Sequence, residues 1–197
     1  MFHGHSVPAG YFQTPEIRPF DSYPHLTHRL VQKRYPTSMT EFIRTAIGGE
    51  HSEAGAARFS RDVLSLRPDV VCIDYALNDR AIGLERAEQA WIRMIEPALS
   101  NGVKVILFTP TADLAADESS PDQSLPRHAQ QIRELAERYD VGLVDSFTAF
   151  QQYGDEHGEV QQLMSQSNHP NRDGHSIVAG LLATWFIPPH EPTQLAE

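Results

Sequence analysis

Asp69-Val70-Val71-Cys72-Ile73-Asp74-Tyr75, followed at once by Ala76-Leu77-Asn78-Asp79-Arg80, is a short apolar run closed by polar turn residues. A run of this length, rich in β-branched side chains and free of Gly and Pro, reads as a strand buried on both faces. Three further runs share its character, Glu41 to Ile47, Val103 to Thr109 and Val141 to Asp145, with Met1 to Gly4 as the stub of a fifth. Met1-Phe2-His3 leaves little room for a full strand before Gly4, which leaves open whether a segment of chain precedes it. The stretches between the runs carry helical patterns. Ser22-Tyr23-Pro24 and Ser124-Leu125-Pro126 each join an N-cap residue to an early proline, which marks a helix start. Leu84, Ala87, Trp91, Met94, Ile95 and Leu99 recur at helical spacing up to Asn101-Gly102, with Pro97 expected to kink the last turn. A final apolar helix is expected from about His175 to Trp185. Strands alternating with helices of this length imply βαβ units, hence an α/β fold: a three-layer α/β/α sandwich around a parallel sheet of about five strands.

The chain has 197 residues, which suits a single domain spanning 1–197. Sixteen basic against 26 acidic residues leave a formal net charge of −10, which repels a phosphate backbone or an anionic lipid surface. Neither nucleic acid nor a membrane is expected as a partner. The single cysteine, Cys72, lies inside the decisive run and reads as a buried, inert thiol. No stretch approaches the roughly 18 apolar residues of a membrane span, and the start lacks the plan of a signal peptide, so a cytoplasmic protein is expected.

In open parallel sheets ligands bind outside the carboxyl ends of the strands, so the segments that follow each run are where chemistry is sought. After the first comes Gly4-His5-Ser6-Val7-Pro8-Ala9-Gly10, after the second Ile47-Gly48-Gly49-Glu50, and after the third Ala76-Leu77-Asn78-Asp79-Arg80. Before the last helix comes Asn168-His169-Pro170-Asn171-Arg172-Asp173-Gly174-His175. A hydroxyl, a backbone donor, a carboxamide and an imidazole are thereby drawn toward one crevice. Acyl transfer needs that set: a nucleophile, a base of near-neutral pKa, and fixed donors for the oxyanion.

These segments resemble the sequence blocks of the SGNH hydrolases, the GDSL-like lipase/esterase family, over residues 4 to 175. The resemblance implies a flavodoxin-like sheet. It implies Ser6 as nucleophile, His169 as general base, and an oxyanion hole formed by the Ser6 N–H, the Gly49 N–H and the Asn78 side chain. Three positions depart from the family pattern: His5 stands for an Asp before the serine, Ala76 for a Gly in the third block, and Gln166 for the Asp three residues before the histidine. The last removes the acid that normally orients the imidazole. Gln166 itself is then a candidate orienter, with Asp145, Asp155 and Asp173 as alternatives.

The expected activity is a carboxylic ester hydrolase that removes short acyl groups, acetyl above all, from a small-molecule ester of a polar alcohol, an acetylated sugar included. No cofactor and no metal are expected. Two rival readings remain open: a catalytically silent carbohydrate-binding or scaffolding module on the same fold, for which Gln166 argues, and a metal hydrolase built on His3-x-His5. Tyr11, Phe12, Asp79 and Arg80 flank the motifs as candidate pocket residues.

Overall fold

A computed structural model describes residues 1–116 and 124–188. In chain order the elements are β1 (Phe2–Gly4), the single turn α1 (Ser6–Ala9), α2 (Tyr23–Arg34), α3 (Ser52–Asp62), β2 (Val70–Asp74) and α4 (Leu84–Ser100). There follow β3 (Lys104–Phe108), α5 (Leu125–Arg138), β4 (Gly142–Val144), α6 (Ser146–His157), the antiparallel pair β5 (Met164–Gln166) and β6 (His169–Pro170), and α7 (Arg172–Ala183).

Strands β1 to β4 form a parallel sheet in that spatial order. The alternation of strand side chains explains why helices cover both faces. On one face Val71, Ile73, Val105 and Leu107 pack with Phe59 of α3, with Trp91, Met94 and Ile95 of α4, and with Ile132 and Leu135 of α5. On the other, Cys72, Ile106, Phe108 and Val144 pack with Tyr23 and Leu26 of α2, Phe150 of α6, and Val178 and Leu182 of α7. Every second residue serves one cluster, so β2 and β3 are apolar apart from Asp74 at the end of the first and Lys104 at the start of the second. Burial pushes the Cys72 thiol up to about 12, which keeps it protonated and inert.

The strand expected over Glu41 to Ile47 is a correction. That segment runs along the open edge of β1, bonding through Phe2 N–H to Ile43 O, Thr45 N–H to Phe2 O and Ile47 N–H to Gly4 O, yet it pairs as a bridge only between Phe2 and Arg44. Glu41, Ile43, Arg44 and Ile47 face solvent, so burial does not extend the pairing. Counted as a fifth member, it gives the order 2-1-3-4-5 of flavodoxin-like sheets.

Local chemistry sets the helix ends. Pro24 and Pro126 sit in the first turns of α2 and α5. Helix α4 continues through Pro97, whose missing N–H falls in the last turn. Helix α7 starts at Arg172, three residues before the expected point, because Asn171 Oδ1 accepts the N–H groups of Asp173 and Gly174 at 2.9 and 3.1 Å.

Two buried imidazoles couple this packing to pH. Burial lowers His3 to about 4 and His175 to about 3, so both stay neutral in the native protein where an unfolded chain takes up protons below about pH 6.5. Stability contributed by each is complete above pH 6.5 and drains away as pH falls toward the folded values. Burial raises Asp79 to about 6, which opposes this with one group against two. The thermal midpoint is therefore expected to drop between pH 7 and pH 4.5, as calorimetry at stepped pH checks; a flat profile contradicts it.

Candidate active site

Strand β1 ends where its backbone crowds β2. A side chain at Gly4 would bring its Cβ to 2.4 Å from the Asp74 carbonyl oxygen, so only glycine lets the chain turn there. The turn delivers Ser6 to the first position of α1. Far along the chain, the pairing of β5 with β6 and the Asn171 cap of α7 place His169 opposite. His169 Nε2 lies 2.9 Å from Ser6 Oγ, and both residues are buried.

The other ring nitrogen settles the tautomer. His169 Nδ1 is 3.0 Å from the Phe12 carbonyl oxygen, which can only accept, so Nδ1 carries the proton and the Nε2 lone pair faces the serine hydroxyl. The orienter expected at position 166 is thereby corrected. Gln166 Oε1 accepts the Thr14 N–H at 2.9 Å, and its Nε2 donates to Asn168 Oδ1 at 3.1 Å. Gln166 instead pins the strand of chain two residues beyond Phe12, the residue whose carbonyl holds the imidazole. The alternative aspartates are also placed elsewhere: Asp145 binds Arg133, Thr109 and Thr148, while Asp155 and Asp173 are exposed.

Burial lowers the His169 pKa from its ordinary value; the Phe12 bond opposes this, neighbouring His5 adds to it, and Asp113 works against it. The imidazole thus keeps its lone pair to a lower pH than an ordinary histidine does.

The Ile47-to-Ser52 loop is tied to both neighbouring segments. Asn78 Nδ2 donates to Glu50 O at 2.8 Å, and the Ser52 N–H donates to Asp79 Oδ1 at 2.7 Å. The second carboxylate oxygen of Asp79 takes the Trp91 indole N–H at 2.6 Å, so Asp79 is a buried anchor for this loop and not a pocket residue. Glu50 pairs with Arg58 from below. Gly49 adopts φ +80°, a left-handed conformation that favours glycine. Among the described residues its N–H, like that of Ser6, meets no acceptor of the chain. Asn78 retains a second amide hydrogen beyond the one given to Glu50.

Of the other flanking residues, Tyr11 packs its ring 5.9 Å from that of His169, and Arg80 pairs with Asp113. His3 and His5 do not share a partner: His3 meets Thr45 and the Gly55 carbonyl, whereas His5 meets Asp74. Among the described residues no group of three or more His, Cys, Asp or Glu side chains is placed to hold a metal ion. No described helix is long and apolar enough to cross a membrane. Two hollows of about 460 and 550 Å³ open at the amino ends of the strands, away from Ser6 and His169.

Sequence reasoning named Phe12 only as a candidate pocket residue; its carbonyl, which meets His169 Nδ1, leaves no mark in a side-chain motif. The role it offered His5 was in a metal pair with His3, and the two rings meet different partners.

No curated protein matches the sequence. The fold resembles Axe2, an acetylxylan esterase from Geobacillus stearothermophilus, with a TM-score of 0.81 at 20% identity over 94% of this chain and 92% of that one. It also resembles the acetyl xylan esterase AlAXEase, with a TM-score of 0.79 at 25% identity over 94% and 98% of the two chains. LAE5, an alpha/beta hydrolase enzyme from the metagenome of Lake Arreo in Spain, gives 0.77 at 21% over 94% and 93%. The solved catalytic mutants of Axe2 replace a serine, a histidine, and an aspartate three residues before that histidine. The model of the GDSL-like Lipase/Acylhydrolase family matches residues 2–177, and the chain belongs to that family of carboxylic ester hydrolases.

Proposed function

We propose that the chain is a serine esterase that hydrolyses short acyl esters, acetyl above all, of a polar alcohol or carbohydrate through an acyl-enzyme on Ser6. The observation that carries this reading is the 2.9 Å approach of His169 Nε2 to Ser6 Oγ, with Nδ1 held by the Phe12 carbonyl. His169 takes the hydroxyl proton as Oγ attacks the ester carbonyl. The Ser6 and Gly49 N–H groups and the Asn78 amide supply the donors that an oxyanion requires. Imidazolium then protonates the leaving alcohol, and a water activated by the same nitrogen releases the acid.

The silent-module alternative leaned on the missing acid at position 166. A neutral carbonyl that selects the reactive tautomer answers part of that objection, though it lacks the charge to stabilise imidazolium. The acetyl-carbohydrate preference draws support from the likeness to Axe2 and AlAXEase, which are acetylxylan esterases. A panel of 4-nitrophenyl esters of increasing chain length beside acetylated xylo-oligosaccharides tests it: kcat/KM is expected to peak at acetyl and to fall at least about tenfold by octanoyl. A maximum at long chains overturns the short-acyl reading and leaves the esterase reading standing.

A further inference from the structure

Glu50 follows directly on Gly48-Gly49 and is held at both its main chain and its side chain. Its main-chain oxygen accepts the Asn78 amide at 2.8 Å, which leaves the second amide hydrogen available. Its carboxylate takes a forked grip from Arg58 of α3, with Nε 3.0 Å from each oxygen and Nη2 2.5 Å from Oε2. Tyr75, the residue after β2, closes the cluster. Its hydroxyl donates to Glu50 Oε2 at 3.2 Å and accepts from Arg58 Nη2 at 3.2 Å, while its carbonyl accepts the Asn78 N–H at 3.0 Å. Arg58 is 8% exposed and Tyr75 is fully buried. A side chain at Gly55 would put its Cβ 2.4 Å from the Tyr75 hydroxyl, so α3 carries glycine where it presses on that ring.

A simpler account makes the ion pair a stabilising tie between the loop and α3. The loop already has such a tie, since the Ser52 N–H donates to buried Asp79 at 2.7 Å, and Arg58 already has Asp62 at 3.1 Å to balance its charge. Drawing a glutamate into this cluster costs desolvation that its ion pair roughly returns, so stability alone is a weak reason for it. Precision is a stronger one. Two glycines leave the main chain before Glu50 with no side chain to hold it, and a catalytic donor works only when held within about 0.5 Å of its productive position.

We infer that Arg58 and Tyr75, by gripping the Glu50 side chain, position the oxyanion donor Asn78: they fix the Glu50 main chain, and its carbonyl fixes the rotation of the Asn78 amide. The inference rests on the reading of Ser6 as nucleophile and Asn78 as an oxyanion donor. Each link is a hydrogen bond, from guanidinium and phenol to carboxylate and from carboxamide to the Glu50 carbonyl. Glu50, Arg58 and Tyr75 exchange no proton with the substrate. They set where the second Asn78 amide hydrogen points when the tetrahedral oxyanion forms.

Glu50→Ala opens the grip but keeps the main-chain carbonyl, and Arg58 stays paired with Asp62, so no buried charge is stranded. With 4-nitrophenyl acetate, kcat is expected to fall about 10- to 100-fold at unchanged KM, less than the roughly 10²- to 10³-fold of removing a donor outright. Coupling is the readout that a mere tie would not move. In an Asn78→Ala background the same substitution is expected to change kcat by no more than about twofold, because the group that Glu50 holds is gone. Glu50→Gln, which keeps one oxygen for Arg58, is expected to lose about four- to tenfold with the same cancellation, and it decides the matter alone should Glu50→Ala fail to fold. Wild-type kcat in the variant that folds, a loss carried by KM, or a loss beyond about twofold in the Asn78→Ala background overturns the positioning role. Ser6→Ala and Asn78→Ala run alongside keep the two readings apart: normal turnover in either removes the site assignment itself, whereas their expected losses beside an uncoupled Glu50 remove only the grip.

Discussion

Ser6→Ala is expected to lower kcat/KM for a small activated ester by roughly 10⁴- to 10⁶-fold, because removal of a nucleophile leaves only the oxyanion donors and binding to assist direct attack by water. The fold should tolerate the change. The hydroxyl makes one hydrogen bond, to His169, so the loss of stability is on the order of 1 kcal/mol. Progress curves from purified protein, read with a melting curve, check both halves. Residual turnover within about tenfold of the wild type would be incompatible with a serine mechanism.

The second large effect is expected at His169, the proposed base. His169→Ala should cost about 10³ to 10⁴ in kcat, the upper part of what a positioned general base supplies. Added imidazole should restore part of the rate, because the Phe12 carbonyl that binds Nδ1–H belongs to the backbone and survives the substitution. The pH dependence carries a sign as well. Burial lowers the His169 pKa, so the wild-type rate should decline only as pH falls through a value below the ordinary 6.5 or so of histidine. That acidic limb should vanish in the variant and return, at the pKa of free imidazole, in the rescued reaction. Rescue that fails in a folded protein, with the acidic limb unchanged, would place the base elsewhere.

Much of the molecule was legible because the same residues serve packing and chemistry. The runs around Val71, Ile106 and Val144 declared themselves as strands because both faces are covered and charged residues stand only near their ends, as the exposed Lys104 does at the start of β3. Ser6, Gly49, Asn78 and His169 stood out because each follows or precedes an element boundary that the turn residues mark. The edge segment around Arg44 was read too strongly, since β-type composition there meets solvent on most of its length. Helices α3 and α6 escaped notice for the opposite reason. Helix α3 buries Ser52, Gly55 and Arg58 beside Phe59, and α6 buries only Ser146 and Phe150, so neither shows an apolar stripe. The orienter of His169 was out of reach of any side-chain pattern. It is a main-chain oxygen brought across 157 positions of sequence by the fold, and the loop that carries it is fastened by the residue first suspected of the role.

The central claim, that Ser6 is the nucleophile, is tested most directly by titrating the protein with a fluorophosphonate and mapping the adduct by peptide mass. A phosphonyl ester on serine does not turn over, so the result is independent of how fast an acyl-enzyme would be released. The account predicts a single adduct per chain, on the peptide that carries Ser6, formed in parallel with the loss of ester hydrolysis and absent from Ser6→Ala. Inactivation with the adduct on another residue, or full hydrolytic activity in protein whose Ser6 is completely modified, would contradict it.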